Sequence, residues 1–337
     1  MRNILTIEEF RNLKRENLLD YKYYGAEFFF YKEGDDIFKE ILNLPKEKLE
    51  KIPLYNFAVT AQERAWDALN QLTLAYSAGH EITELREFYQ TVLERWMTYS
   101  ERYIKYDNSA ESEGAYVALL PLFGDGYEQA NRLVCFTILL GHEKHLKKLM
   151  PIIDFKNPKK DGLLERLVSF YVTDRGMPPD ECTRHLPYFK TLKIFSAEKE
   201  KRAEMMATYL EQWYHASRRE AYHDSHERGM NFFGYWSWEA AAITYLLDID
   251  DRSFRDAQFY PKDLVDFARN MQADPTASGT AAPPDGELRA TAGQSCPKAG
   301  RWEALDIPPQ VKSYQQDELM LNLGSAYGLT VWRYMDG

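Results

Sequence analysis

The sequence predicts a mainly α protein, a multi-helix bundle that ends in a small β-rich appendage. Helical periodicity carries the chain to about Met271. A stretch rich in Ala, Pro and Gly follows at 273–286, and beyond it short strand-like segments are set apart by glycine and proline. Of the 337 residues, 45% are hydrophobic and 28% charged, enough to bury one sizeable helical core and a small second unit. On this reading residues 1–272 form an all-helical domain, 273–286 a linker and 287–337 a β-rich module.

The helical elements follow from spacing. Ala65, Leu69, Leu72 and Tyr76 recur at i, i+4, i+7 and i+11, as do Val92, Trp96, Tyr99 and Tyr103. Each set lines one face of a 3.6-residue helix, and Gly79 suits the end of the first. Tyr127 to Leu140 is apolar on most sides and reads as a central helix closed by Gly141, with Gly124-Asp125-Gly126 as a tight turn ahead of it. Asp161 opens a short helix through Tyr171. A long helix is expected from about Ala197 to His226, with Ser196 as its N-cap. Trp236, Ala240, Ile243 and Leu247 mark the next helix, and Pro261 opens the last, where proline is favoured. In the tail, Leu288–Thr291, Arg301–Leu305 and Tyr327–Tyr334 read as short strands.

Charge and cysteine content exclude several classes. The chain carries 42 Lys+Arg against 52 Asp+Glu, a net charge of −10. Such a balance disfavours gripping nucleic acid and suits a basic protein partner. Cys135, Cys182 and Cys296 form neither a CxxC pair nor an even-numbered framework, so neither a disulfide nor a zinc site is expected. The charged N-terminus does not read as a signal peptide, and no apolar run approaches the roughly 20 residues of a membrane span. A cytoplasmic location is the expectation.

Few constellations invite catalysis. His142 and His145 stand at i and i+3, where the zinc-protease motif needs i and i+4; a solvated helix C-terminus accounts for them better. His215, His223 and His226 are expected on one helix, as a polar face. Ser196-Ala-Glu-Lys199 has the SxxK form of some acyl-transfer enzymes, without the companion motifs. No catalytic residue, metal ligand or cofactor site is assigned. The most informative stretch is Gly234 to Arg269. Tyr235, Trp236 and Trp238 anchor a helix start, with Glu239 beside them and Tyr260-Pro261 opening the helix that follows. Asp250, Asp251 and Asp256 crowd the turn between. Together with Glu111, Glu113 and Asp125, placed in loops, they are the candidate contacts for a basic partner.

This stretch resembles the C-terminal signature of the PoNi family of bacterial immunity proteins. The likeness rests on Gly-Tyr-Trp-x-x-Glu-Ala-Ala (Gly234 to Ala241), Leu-Asp-Ile-Asp-Asp (Leu247 to Asp251) and Tyr-Pro-x-Asp-Leu (Tyr260 to Leu264). Upstream, Tyr209-Leu-Glu-Gln-Trp-Tyr214 and Ala221-Tyr-His-Asp-Ser225 are similar to the same family, whose signature therefore covers 204–269. A looser likeness reaches over roughly 1–270. The resemblance implies an all-helical, non-enzymatic protein that neutralises PoNe-type DNase toxins delivered between bacteria, often by type VI secretion. The favoured mechanism is stoichiometric inhibition, in which a helical scaffold with acidic loops occludes the toxin's basic cleft or locks the toxin in an inactive shape. Ala292 to Trp302 looks like a module that closes several other interbacterial immunity proteins. Two other readings stay open: an enzyme that reverses a toxin's modification, and an adaptor or homodimerisation role for the tail.

Overall fold

The computed structural model describes residues 3–42, 44–49, 51–114, 117–273, 289–304, 310–323 and 330–335. Among the described residues the helices are α1 (Ile7–Leu13), α2 (Tyr21–Leu42), α3 (Lys46–Leu49), α4 (Leu54–Ala78), α5 (Ile82–Asp107), α6 (Gly124–Leu139), α7 (Leu146–Asp154), α8 (Gly162–Val168), α9 (Leu192–Ser196), α10 (Lys199–Ala216), α11 (Ser225–Arg228), α12 (Trp238–Leu246) and α13 (Lys262–Ala273). The strands are β1 (Arg289–Thr291), β2 (Gly300–Ala304), β3 (Val311–Tyr314) and β4 (Val331–Tyr334). The protein is mainly α with a small sheet near its C-terminus, as the sequence predicts.

The long hairpin of α4 and α5 is the frame. Its corner needs glycine twice over. Gly79 sits at φ 102, in the left-handed region, and a Cβ there would lie 2.3 Å from the Leu13 carbonyl oxygen. Neither demand can be met by an L-side chain without strain. α6 then threads the interior. Apart from half-buried Glu128, every residue from Gly126 to Leu139 is buried, because α4, α7, α8, α12 and α13 all pack against it. A helix apolar on most sides is stable only when surrounded in this way. It is antiparallel to α5: Tyr99 donates to the Leu119 carbonyl just ahead of α6, Tyr89 to Leu133, and Arg86 to Leu140 at the far end. One bundle end therefore holds the close of α5 and the start of α6. The other holds the start of α5, the close of α6, and α13.

Local signals are honoured where a side chain supplies what the backbone lacks. Asp161 caps α8, its Oδ1 accepting from the N–H groups of Leu163 and Leu164 at 2.9 and 3.0 Å. Its Oδ2 accepts from the Thr183 N–H at 2.6 Å. Pro261 directly precedes α13.

Four expectations are corrected. The long helix breaks at Ala216 rather than running to His226, so His215 is on α10, His223 in a turn and His226 on α11. Ser196 ends α9 rather than capping α10; its hydroxyl donates back to the carbonyls of Leu192 and Lys193. Gly124-Asp125-Gly126 is the first turn of α6, not a turn ahead of it. His142 is buried rather than solvated.

The tail forms an antiparallel four-stranded sheet in the order β1-β4-β2-β3. Trp302 stands opposite Tyr334 and Ala304 opposite Trp332. Ala290, Cys296, Trp302, Ala304, Tyr314, Met320 and Trp332 make a hydrophobic cluster separate from the helical one. β3 had no counterpart in the sequence reading. Leu288, Leu305, residues 327–329 and the expected linker beyond Ala273 lie outside the described residues.

Candidate functional site

The signature segment folds around one carboxylate. Glu239, in the first turn of α12, is 1% exposed. Its Oε1 accepts from Tyr209 Oη at 2.7 Å, Trp213 Nε1 at 2.8 Å and Ser237 Oγ at 2.7 Å. Its Oε2 accepts from Asn131 Nδ2 at 3.0 Å. Four donors drawn from α6, α10 and the approach to α12 satisfy a group that would be very costly to bury alone. Burial, and then the Glu239 charge, push the Tyr209 hydroxyl well above the ordinary tyrosine range. Beside this knot lies a polar cavity of about 20 Å³ lined by Glu128, Asn131, Tyr188 and Tyr222, room for a single water.

The aromatic residues of the signature lock the same region. Tyr76 takes Trp236 and Trp238 edge-on at 5.1 and 5.2 Å between centroids, and Trp238 meets Phe136 at 4.6 Å. Trp236 Nε1 donates to Ser77 Oγ at 2.8 Å. Gly234 is at φ 98, and a Cβ would fall 2.3 Å from that same oxygen. Tyr235 is buried too; its N–H donates to Glu16 Oε2 at 3.0 Å, and its hydroxyl meets His226 Nδ1 at 2.7 Å. Tyr260 and Pro261 are also buried. Sequence reasoning missed Glu16, Ser77 and Asn131, which hold the signature from outside it; each is distant along the chain and carries no local pattern.

The six candidate contact residues do not form one surface. Asp251 is 4% exposed, and this corrects its place on an exposed acidic rim. Its Oδ2 accepts from Tyr260 Oη at 3.0 Å and Arg255 Nη1 at 3.1 Å, and its Oδ1 from Arg269 Nη1 at 3.0 Å. It braces the α12–α13 turn. Asp250 and Asp256 are exposed, each beside a local cation: Arg252 Nε is 2.9 Å from Asp250, and Lys262 Nζ is 2.7 Å from Asp256. Arg252 holds the Asp250 carboxyl down at about 2, chiefly through its hydrogen bond. Both aspartates belong to the end of the bundle that carries α13.

Glu111, Glu113 and Asp125 are exposed at the opposite end. Glu111 accepts from the Tyr55 N–H at the start of α4, at 3.3 Å. α5, with 26 residues, holds the two ends roughly 39 Å apart. At the Asp125 end, a groove of about 890 Å³ runs beneath Val117 and Phe123 and is edged by Lys159, Lys160 and Glu181.

The histidine pair reads structurally. His142 Nε2 donates to the Arg86 carbonyl at 3.0 Å. Burial first, and then the charges of Arg86, His145 and Lys144, lower this imidazole to about 4. His223 stacks on Tyr214 at 4.2 Å. Among the described residues no group of three or more His, Cys, Asp or Glu side chains is arranged to hold a metal ion, and no helix is long and apolar enough to cross a membrane.

Comparison with known proteins follows the same outline. Residues 159–264 match the family model described as PoNe immunity proteins (PoNi), C-terminal, which carries the resemblance seen in the sequence. The match spans α8 to the start of α13 and includes Glu239, Asp251 and the tryptophans Trp236 and Trp238, whose ring partners Tyr76 and Phe136 lie outside it. The crystal structure of protein PA2201 from Pseudomonas aeruginosa is similar in fold, with a TM-score of 0.64 and 22% identity over 78% of this chain and 92% of that one. No curated protein matches the sequence.

Two outcomes test this account. Glu239→Gln keeps the three bonds to Oε1 and disturbs only the one from Asn131, and should cost about 1 kcal/mol of stability. Glu239→Ala strands all four donors and opens a void, and should cost about 4 kcal/mol. Urea unfolding followed by tryptophan fluorescence measures both, and equal costs would refute the ranking. For His142, the folded pKa lies below the unfolded one, so the folded state binds fewer protons between about pH 6.5 and 4. Its contribution is present above the unfolded value and is lost as pH falls towards 4. The stability difference between the native chain and His142→Asn should therefore shrink by on the order of 1–2 kcal/mol from pH 7.5 to pH 5. A difference unchanged across that range would remove His142 from the account.

Proposed function

We propose that this chain is an immunity protein that binds and neutralises a cognate secreted bacterial toxin, most specifically a DNase of a type VI or related secretion system, by one-to-one occlusion. The observation that carries the reading is the match of residues 159–264 to the PoNi C-terminal family. Two features support it. The net charge of −10 complements the basic surface with which a nuclease holds DNA. The signature itself is spent on building a rigid scaffold, as an inhibitor that presents surface requires.

Charge steers the approach of such partners more than it sets their final affinity. On this reading the contact lies at one end of the bundle. Either Asp250 and Asp256, or Glu111, Glu113 and Asp125, meet the toxin. Asp251 takes no part, since reversing its charge would dismantle the α12–α13 turn.

Titrating purified chain into a fixed amount of the toxin encoded beside it should abolish toxin activity at a one-to-one endpoint. Complete protection by a trace amount would mean turnover and refute occlusion. In the same assay, Asp250→Lys with Asp256→Lys, or Glu111→Lys with Glu113→Lys, should slow association roughly tenfold at low salt. The other pair should leave it unchanged. Association rates unmoved by either pair would discard both surfaces.

A further inference from the structure

We infer that the polar cleft beside Glu239 seats one lysine side chain of the toxin, its ammonium held by Glu128, Tyr188 and Tyr222. The inference rests on the toxin-binding reading and supplies it with a contact. Glu128 comes from α6, Tyr188 from just ahead of α9, and Tyr222 from the turn after α10. Glu128 is half-buried and Asn231, also among the walls, is exposed, so the cleft reaches solvent. Glu128 lies one turn of α6 beyond Asp125, which places the opening towards the bundle end that carries Glu111 and Glu113.

Three observations name the occupant. The first is unspent hydrogen-bonding capacity. Tyr222 Oη is enclosed without a partner. Tyr188 is 1% exposed, and its hydroxyl takes part in no hydrogen bond among the described residues. The Glu128 carboxylate accepts none either. Arg132 Nε stands 3.5 Å from one of its oxygens, and that guanidinium already donates to Thr73 and Asn70. Enclosed oxygens of this kind call for a donor.

The second observation is charge. Burial, opposed only in part by Arg132, and then the Asp125 charge push the Glu128 carboxyl up. Burial raises the Glu220 carboxyl likewise, Arg184 opposes it, and the charges of Glu128 and Asp125 add to the rise. These three carboxylates are met by two arginines, so the group is one positive charge short. The third is size. The cavity of about 20 Å³ admits one water-sized group. An ammonium is of that size and brings three donors to the three acceptors, whereas a planar guanidinium is too large. Water would fill the space and leave the charge unmet. The rings of Trp213, Trp236 and Trp238 are among the walls, surfaces against which a cation is favoured over a neutral group.

Two measurements test the seat. The first uses the chain alone, with methylammonium as the probe. At equal ionic strength, 200 mM methylammonium chloride should raise the unfolding temperature by about 2 °C over tetramethylammonium chloride, whose cation offers no N–H and does not fit. Glu128→Gln should abolish the difference. Equal temperatures in the two salts would mean a cleft that holds only water, and would overturn the proposal. The second follows dissociation from the toxin encoded beside this chain. Glu128→Gln should speed it about thirtyfold and Tyr222→Phe about fivefold, with association changed by less than about threefold. Reductive methylation of the toxin keeps its lysines charged but makes them too bulky for the cavity. It should speed dissociation from the native chain and add little to the effect of Glu128→Gln. One-to-one binding that neither variant weakens would remove the seat and leave the immunity reading standing. A native chain that does not bind the toxin would remove both. Circular dichroism of each variant separates a lost contact from a lost fold.

Discussion

The acceptance of four hydrogen bonds by Glu239 is the constraint on which the family-matched segment depends. Tyr209 and Trp213 reach it from α10, Ser237 from the approach to α12, and Asn131 from the central helix. A carboxylate this deep is tolerated only when nearly every lone pair faces a donor, and the donors in turn have nowhere else to go. The arrangement works in both directions. It fixes how α10 and α12 sit on α6, and it holds the tryptophan and tyrosine rings where they fill the core. Asp251 repeats the device on a smaller scale, tying Tyr260, Arg255 and Arg269 across the last turn. The acidic and aromatic letters of the signature are thus spent inwards, on shape.

Much of this fold was legible because local rules and tertiary packing agree. Gly79 is a left-handed helix end, Asp161 a satisfied N-cap, and the apolar run at 127–140 a surrounded helix; in each case the sequence signal and the structural demand are the same fact. The errors fall where they separate. The chain from Ser217 to Arg228 holds no glycine or proline, so nothing local announces the break after Ala216. The break comes from long-range partners: Arg184 takes Glu220 at 2.6 Å, and Trp213 stacks on Tyr222 at 5.6 Å. Asp224, at φ 55, then turns the backbone so that its carboxylate accepts from Tyr214 Oη at 2.6 Å. Ser196 looked like a cap because serine caps well, but α9 already ends there and its hydroxyl bonds backwards.

The candidate surface was less legible than the fold. A cluster of aspartates in sequence resembles a cluster in space only if all of them face outwards. Asp250 and Asp251 are neighbours, yet one is in solvent with Arg252 and the other is a buried brace. Alternation of this kind is invisible without knowing where Arg255, Arg269 and Tyr260 converge. The same limit applied to Glu111, Glu113 and Asp125, which the bundle carries to its far end. Composition correctly described the protein as acidic, but composition has no direction, and steering a partner requires direction.

Taken together, the placement of charge and apolar surface assigns different work to different faces. Glu239 and Asp251 are satisfied inside the protein and show no charge to an incoming partner. One bundle end carries the exposed carboxylates of Asp250 and Asp256 and the other those of Glu111, Glu113 and Asp125, and binding at either relies on steering followed by shape. The rate at which a basic partner is captured then rises with the charge it meets, without any change in the contacts it finally makes. Exposed charge of this kind acts on the speed of association more than on its final strength.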